Sequence, residues 1–240
     1  MLSRLVCSAL LAAVVLFPAG SSAQLVIDRL WVDLGADGSG REDIMVGNES
    51  SDRYFVTLKI SEIVNPGAPN ERREEIADPE TLGLLVSPTR LILEPGATRA
   101  IRVVSIADPP MQDRIYRLMI SPQVNDVDEK PAAADGEHGV SIRVLMAYDV
   151  LVVARPANAQ PAITKVATDE GFLLRNQGNT SVLLTDGKVC LTDESSSCRP
   201  LQDARLYAGG ELRIETDVSN GSVSYRQRLL AKGDSKAVDF

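Results

Sequence analysis

Histidine occurs once in the 240 residues, as His138, and cysteine only as Cys7, Cys190 and Cys198. That scarcity argues against a zinc site, which needs about four ligands. The chain has no GxSxG elbow, no HExxH or CxxC pair and no phosphate-binding GxxxxGKS/T loop. The signatures of serine hydrolases, zinc proteases, thiol redox enzymes and nucleotide binders are therefore absent. The glycines of Gly35–Gly40 are not followed by a helical pattern, so they read as a turn. His138 has no nucleophile beside it. Carboxylate pairs fall in acidic turns, where solvation explains them. The chain reads as a non-enzyme with no cofactor and no metal.

Positive charge is in the minority, with 25 Lys and Arg against 33 Asp and Glu and a net charge of −8. Nucleic acid and anionic membrane surfaces are poor partners for such a chain. Low-complexity tracts, short repeats and sustained helical periodicity are also missing.

Residues 1–23 read as a secretory signal. Arg4 supplies the charge, Leu5–Phe17 the apolar stretch, and Ser21-Ser22-Ala23 a small-residue cleavage site. The mature chain then starts at Gln24 and keeps only Cys190 and Cys198. In an oxidising compartment the two read as one disulfide clamping a hairpin tip, with a pair of free thiols as the alternative.

What fills the rest is short strands and turns. Leu25–Leu34, Glu42–Val46, Tyr54–Ile63, Arg99–Ile106 and Arg114–Ile120 alternate in strand fashion. Asn65–Pro79 reads as a long hairpin or loop. Leu84–Leu93, interrupted by Ser87-Pro88, reads as an edge strand, since proline cannot donate to a ladder. Val124–His138 is an acidic loop without the spacing of a calcium site. Ala157–Pro161 reads as a linker. Ile163–Val166, Phe172–Arg175, Val182–Leu184, Lys188–Leu191, Glu211–Glu215 and Ser222–Leu230 form a second, smaller set of strands. The fold class is all-β, an antiparallel sandwich architecture.

One stretch exceeds an ordinary strand. Gly139–Pro156, GVSIRVLMAYDVLVVARP, is the longest apolar run after the signal, broken only by Arg143 and Asp149. It is too short and too charged to cross a membrane. Ile142, Val144, Met146, Tyr148, Val150 and Val152 share one face. Ser141, Arg143, Leu145, Ala147, Asp149, Leu151 and Val153 share the other. The first face is wholly apolar. Either both faces are covered within the protein, or the spare apolar face waits for a partner.

Several segments resemble one family. They are SPTRLILEPGATRAIRVV (Ser87–Val104), DRIYRLMISP (Asp113–Pro122), the Arg155-Pro156 end of the long run, LLRNQGNTSVLL (Leu173–Leu184) and LYAGGELRI (Leu206–Ile214). In this order they resemble the periplasmic pilus-assembly chaperones of the chaperone–usher pathway, the PapD-like family. The resemblance implies two immunoglobulin-like domains set at an angle, over residues 24–155 and 156–240. It implies a periplasmic protein that binds pilus subunits by donor-strand complementation and delivers them to an outer-membrane usher, without ATP or any cofactor. The donated residues fall on Ile142, Val144 and Met146, with Tyr148 next on the same face. The opposite residues Leu145, Ala147 and Leu151 are then expected inside the first domain. Such an exposed strand also permits self-association. The family's two basic cleft anchors for the subunit carboxylate fall on Trp31 and Leu151, neither of them basic. The candidates to replace them are Arg29, Arg143, Arg155 and Lys165. The alternative function is an exported structural or adhesive sandwich protein of the cell surface.

Overall fold

The computed structural model describes residues 25–35, 39–124, 144–190, 198–216 and 221–240. The signal stretch, Ile142, Arg143 and His138 lie outside them. Eighteen strands and one short helix make up the described chain.

The first sandwich holds β1 (Leu25–Ile27), β2 (Trp31–Leu34), β3 (Arg41–Asn48), β4 (Tyr54–Val64), β5 (Arg72–Glu74), β6 (Leu84–Ser87), β7 (Arg90–Leu93), β8 (Thr98–Ser105), β9 (Arg114–Gln123) and β10 (Tyr148–Ala154). One sheet runs β1-β3-β8-β6, and the other runs β2-β10-β9-β4-β5 with β7 also on β4. The second sandwich holds β11 (Ile163–Thr168), β12 (Gly171–Asn176), β13 (Val182–Cys190), β14 (Cys198–Pro200), β15 (Ala204–Leu206), β16 (Glu211–Glu215), β17 (Ser222–Arg228) and β18 (Ser235–Asp239). Its sheets are β11-β12-β16 and β14-β13-β17-β18, with β15 on β13.

Alternation explains the main strands. In β4, Tyr54, Val56 and Leu58 face the core while Phe55, Thr57 and Lys59 face outward. The pattern breaks at Ser61 and Ile63, which are buried although they continue the outward face. There the second sandwich covers the sheet. Ile63, Ile115, Leu151 and Val153 form a separate apolar cluster joined by Trp31 and by Tyr207 of the second sandwich.

That cluster accounts for the second apolar face at the end of the long run. Val150, Val152 and Ala154 lie in the first-sandwich core, and Leu151 and Val153 in the cluster between the sandwiches. Both faces of Val150–Ala154 are therefore covered within the chain. Leu151 packs between the sandwiches rather than within the first, while Leu145 and Ala147 are exposed.

Two expected strands each divide between the facing sheets. Leu25–Leu34 becomes β1 and β2. Asp28 closes the β1–β3 ladder, its backbone donating to Met45 O at 3.1 Å and its carboxylate accepting from Met45 N at 3.0 Å. The chain then crosses, leaving Leu30 57 % exposed while Val32 and Leu34 are buried. Leu84–Leu93 becomes β6 and β7, divided at the cis Ser87-Pro88 bond. The Asn65–Pro79 segment contains β5 and leads into α1 (Pro79–Leu82), capped by Asp78 and ended by Gly83 at φ 75°. In the second sandwich, Val182–Leu184 and Lys188–Cys190 are one strand with a bulge. Its register shifts between Thr185 and Lys188, and Asp186 sits at φ 53°. Cys190 and Cys198 are register partners of β13 and β14 and are disulfide-bonded.

Candidate functional site

The site forms where β10 leaves the core. Its core-facing side continues backwards through Tyr148, which is half-buried and donates its hydroxyl to Leu25 O at 2.6 Å. The next residues on that face are Met146, 46 % exposed, and Val144, 70 % exposed. An apolar face thus runs unbroken from a close-packed core into solvent. The strand itself is shorter than the sequence suggests, spanning Tyr148–Ala154 rather than the whole of Gly139–Pro156. Residues 144–147 carry no ladder among the described residues.

The edge of β10 is open over the same stretch. On one side β9 pairs antiparallel with residues 148–154. On the other, β2 pairs in parallel only from Leu151, opposite Trp31, to Ala154. Unpaired backbone groups on an exposed edge are a template for another strand.

At the foot of β10, Arg155 joins the two sandwiches. It is 1 % exposed. Its Nε donates to Asp33 Oδ1 at 2.8 Å, and its Nη1 reaches Asp113 Oδ2 at 3.3 Å. It also donates to Thr180 Oγ1, to Ser181 O at 3.1 Å and to Leu229 O at 2.6 Å. The same carboxylates hold second-sandwich backbone, Asp33 accepting from Ala231 N at 2.7 Å and Asp113 from Ser181 N at 2.6 Å. Burial pushes the Asp113 carboxyl above its usual value, against the pull of the Arg155 charge. Arg155, fully buried and with each guanidinium nitrogen bonded within the chain, is thus an internal tie between the sandwiches.

The other basic candidates are also engaged. Arg29 pairs with Asp28 at 2.6 Å and Glu42 at 3.1 Å. Lys165 is bonded to Gly221 O and Phe240 O and lies over the Phe172 ring, within the second sandwich. Arg143 lies outside the described residues.

Trp31 meets two arginines that sequence reasoning missed. Arg205 of β15 places its guanidinium 3.9 Å from the Trp31 ring centroid, and Arg228 of β17 places its own at 5.3 Å. Trp31 Nε1 donates to Asp33 Oδ1 at 3.1 Å. Arg205 and Arg228 line up because both are register partners of Leu183, on opposite sides of β13. The one available signal was Arg205 directly ahead of the LYAGGELRI segment. A cavity of about 490 Å³ adjoins them, lined in part by Leu30, Trp31, Arg228 and Lys232. Among the described residues, no group of three or more His, Cys, Asp or Glu could hold a metal, and no helix is long and apolar enough to cross a membrane.

No family model matches the chain. Solved chaperone structures do. The chain is 18 % identical to the class 5 fimbriae chaperone CfaA, with TM-score 0.66 over 90 % of this chain and 97 % of that one. It is 12 % identical to a chain of the CsuC–CsuE chaperone–tip adhesion subunit pre-assembly complex from the archaic chaperone–usher Csu pili of Acinetobacter baumannii. That match has TM-score 0.63 and covers 90 % and 98 % of the two chains. These likenesses give the chain the two-sandwich fold of the chaperone–usher pilus chaperones. In sequence it is 24 % identical to a CS1 fimbrial subunit of Escherichia coli over 64 % of this chain. That match spans 63 % of the relative's length. It is 23 % identical to a CFA/I fimbrial subunit of Escherichia coli over 75 % of this chain and 74 % of the relative.

Proposed function

We propose that this chain is a periplasmic chaperone for fimbrial subunits, exported by its amino-terminal signal, and that it delivers them to an outer-membrane usher. It lays residues 142–150 along an incomplete subunit sandwich, with Ile142, Val144, Met146 and Tyr148 filling the missing apolar positions. Binding alone does this work; no turnover, cofactor or metal enters. One observation carries the reading: the apolar face of β10 continues from Val150 and Tyr148 to Met146 and Val144 outside the core, beside an open backbone edge. Adding a strand to such an edge uses main-chain hydrogen bonds for affinity and alternate side chains for specificity. Burying one Val or Met side chain contributes about 1.5–3 kcal/mol, so a few inserted residues hold a subunit. The test is co-expression with a fimbrial subunit from the same source, comparing the parent with Val144→Asp. The parent should keep the subunit soluble and Val144→Asp should not.

A second reading has the names of the sequence relatives in its favour, both fimbrial subunits. Under it the chain itself is an exported structural or adhesive protein. Surface labelling of whole cells separates the two, since a chaperone stays within the periplasm.

A further inference from the structure

Past the signal stretch, the sulfur still open to oxidation is that of Met45, Met111, Met119 and Met146, because Cys190 and Cys198 are already bridged. These methionines differ in place. Met111 is 91 % exposed in the loop between β8 and β9, and Met45 is exposed on the outer face of the β1-β3-β8-β6 sheet. Met119 is half-buried in β9, opposite Asp149. Met146 is exposed as well, and it alone of these lies on the apolar face that leaves the core with β10.

Met146 also differs in chemistry from the rest of that face. Ile142 and Val144 carry only hydrocarbon side chains, which peroxide does not attack. Tyr148 has its ring against the core and its hydroxyl on Leu25 O. Residues 144–147 form no ladder among the described residues, so the Met146 thioether sits on a stretch open to water. An unbranched, polarisable thioether fills irregular gaps, which suits a surface that receives more than one partner. The same sulfur is open to oxidation. Hydrogen peroxide transfers one oxygen to Sδ: the O–O bond breaks, an S=O bond forms, the sulfide gives up two electrons and the other oxygen leaves as water. The product is polar, and inserting it among apolar side chains costs affinity.

We propose that Met146 is an oxidant-sensitive modification site: peroxide converts it to the sulfoxide in the free chain and so switches off subunit capture, whereas a bound subunit shields it. This rests on the donor-edge reading above. A methionine sulfoxide reductase reverses the change, a dithiol supplying the two electrons and the oxygen leaving as water.

The purified chain is treated with hydrogen peroxide, quenched with catalase and mixed with a fimbrial subunit from the same source, diluted from urea. Peptide mass spectrometry measures the sulfoxide at each methionine, and gel filtration measures the soluble complex. The oxidised parent is expected to capture about tenfold less subunit than the untreated parent. The loss should follow the sulfoxide at Met146 rather than at Met111, and methionine sulfoxide reductases with a dithiol should restore capture. Met111→Leu should lose capture as the parent does, and Met146→Leu should keep after peroxide whatever capture it shows before. In the preformed complex Met146 should stay reduced while Met111 oxidises as in the free chain. Undiminished capture by a parent fully oxidised at Met146 overturns the switch, and the donor edge then stands if Val144→Asp still fails to capture. A loss in Met146→Leu equal to the parent's, or no recovery once Met146 is reduced again, overturns the assignment to this residue. Oxidation of Met146 in the complex as fast as in the free chain overturns the shielding. Failure of the untreated parent to capture overturns the donor edge and the switch together.

Discussion

Trp31 and Leu151 are register partners on the adjacent parallel strands β2 and β10. Together they mark where the free edge of β10 ends. Beyond them, toward Ala154, the strand is buried on both faces; before them it is open on one edge and increasingly exposed. The boundary between a structural and a receptive segment therefore falls within one strand. The Trp31 ring at this boundary is faced by the guanidiniums of Arg205 and Arg228 from the second sandwich.

Arg155→Ala should destabilise the chain by about 3–5 kcal/mol, the range for removing one partner from a buried ionic cluster. Asp33 and Asp113 would be left facing each other without the cation. Urea unfolding followed by circular dichroism checks the magnitude. Small-angle scattering should also broaden, because the bonds to Thr180, Ser181 and Leu229 that fix the second sandwich are lost.

Arg205→Gln should leave the melting temperature unchanged or raise it. The lost stacking on Trp31 contributes about 0.5–2 kcal/mol, but an uncompensated buried charge goes with it. The sign follows from linkage: with its folded value lowered to about 10, ionised Arg205 costs stability below that pH, and the cost is relieved as pH rises above it toward the ordinary arginine value. Differential scanning calorimetry of parent and variant decides it.

Cys190→Ser or Cys198→Ser should cost about 2–3 kcal/mol, the value for closing so short a loop in the chain-entropy account. The loss should be confined to the second sandwich, since the bridge joins β13 to β14. Hydrogen exchange should speed up in β13, β14 and β17 and stay unchanged in β4 and β9.

Much of the architecture is legible in the residues. Strict alternation marks Tyr54–Leu58, and Pro88 marks a broken ladder because proline has no donor. The disulfide follows from two cysteines and an oxidising compartment. The sheet crossings at Asp28–Leu30 and Ser87–Thr89 are not legible, because they depend on which facing sheet each half joins. The parity of β10 misleads for a related reason: Leu151 looks like first-domain core, yet it lies in a separate cluster on the outer sheet face, which Tyr207 of the second sandwich joins. Arg155 reads as a strand-end cation, and only the assembled fold shows Asp33, Asp113 and Leu229 closing over it. Arg205 escapes a sequence reading because it sits in a three-residue strand and acquires meaning only against Trp31, which is remote in sequence.

The most direct test of the account is the amount of soluble fimbrial subunit recovered per molecule of Val144→Asp chain on co-expression, with the melting temperature of the purified variant as its control. Val144 is 70 % exposed and Val150 fully buried on the same face, so Val150→Asp serves as the reference for ordinary core damage. Burying an unpaired carboxylate in a subunit groove costs several kcal/mol, and each 1.4 kcal/mol is tenfold in affinity. The expected result is a Val144→Asp chain that melts with the parent and recovers at least tenfold less subunit. Undiminished recovery, or a loss of melting temperature equal to that of Val150→Asp, would contradict donor-strand capture.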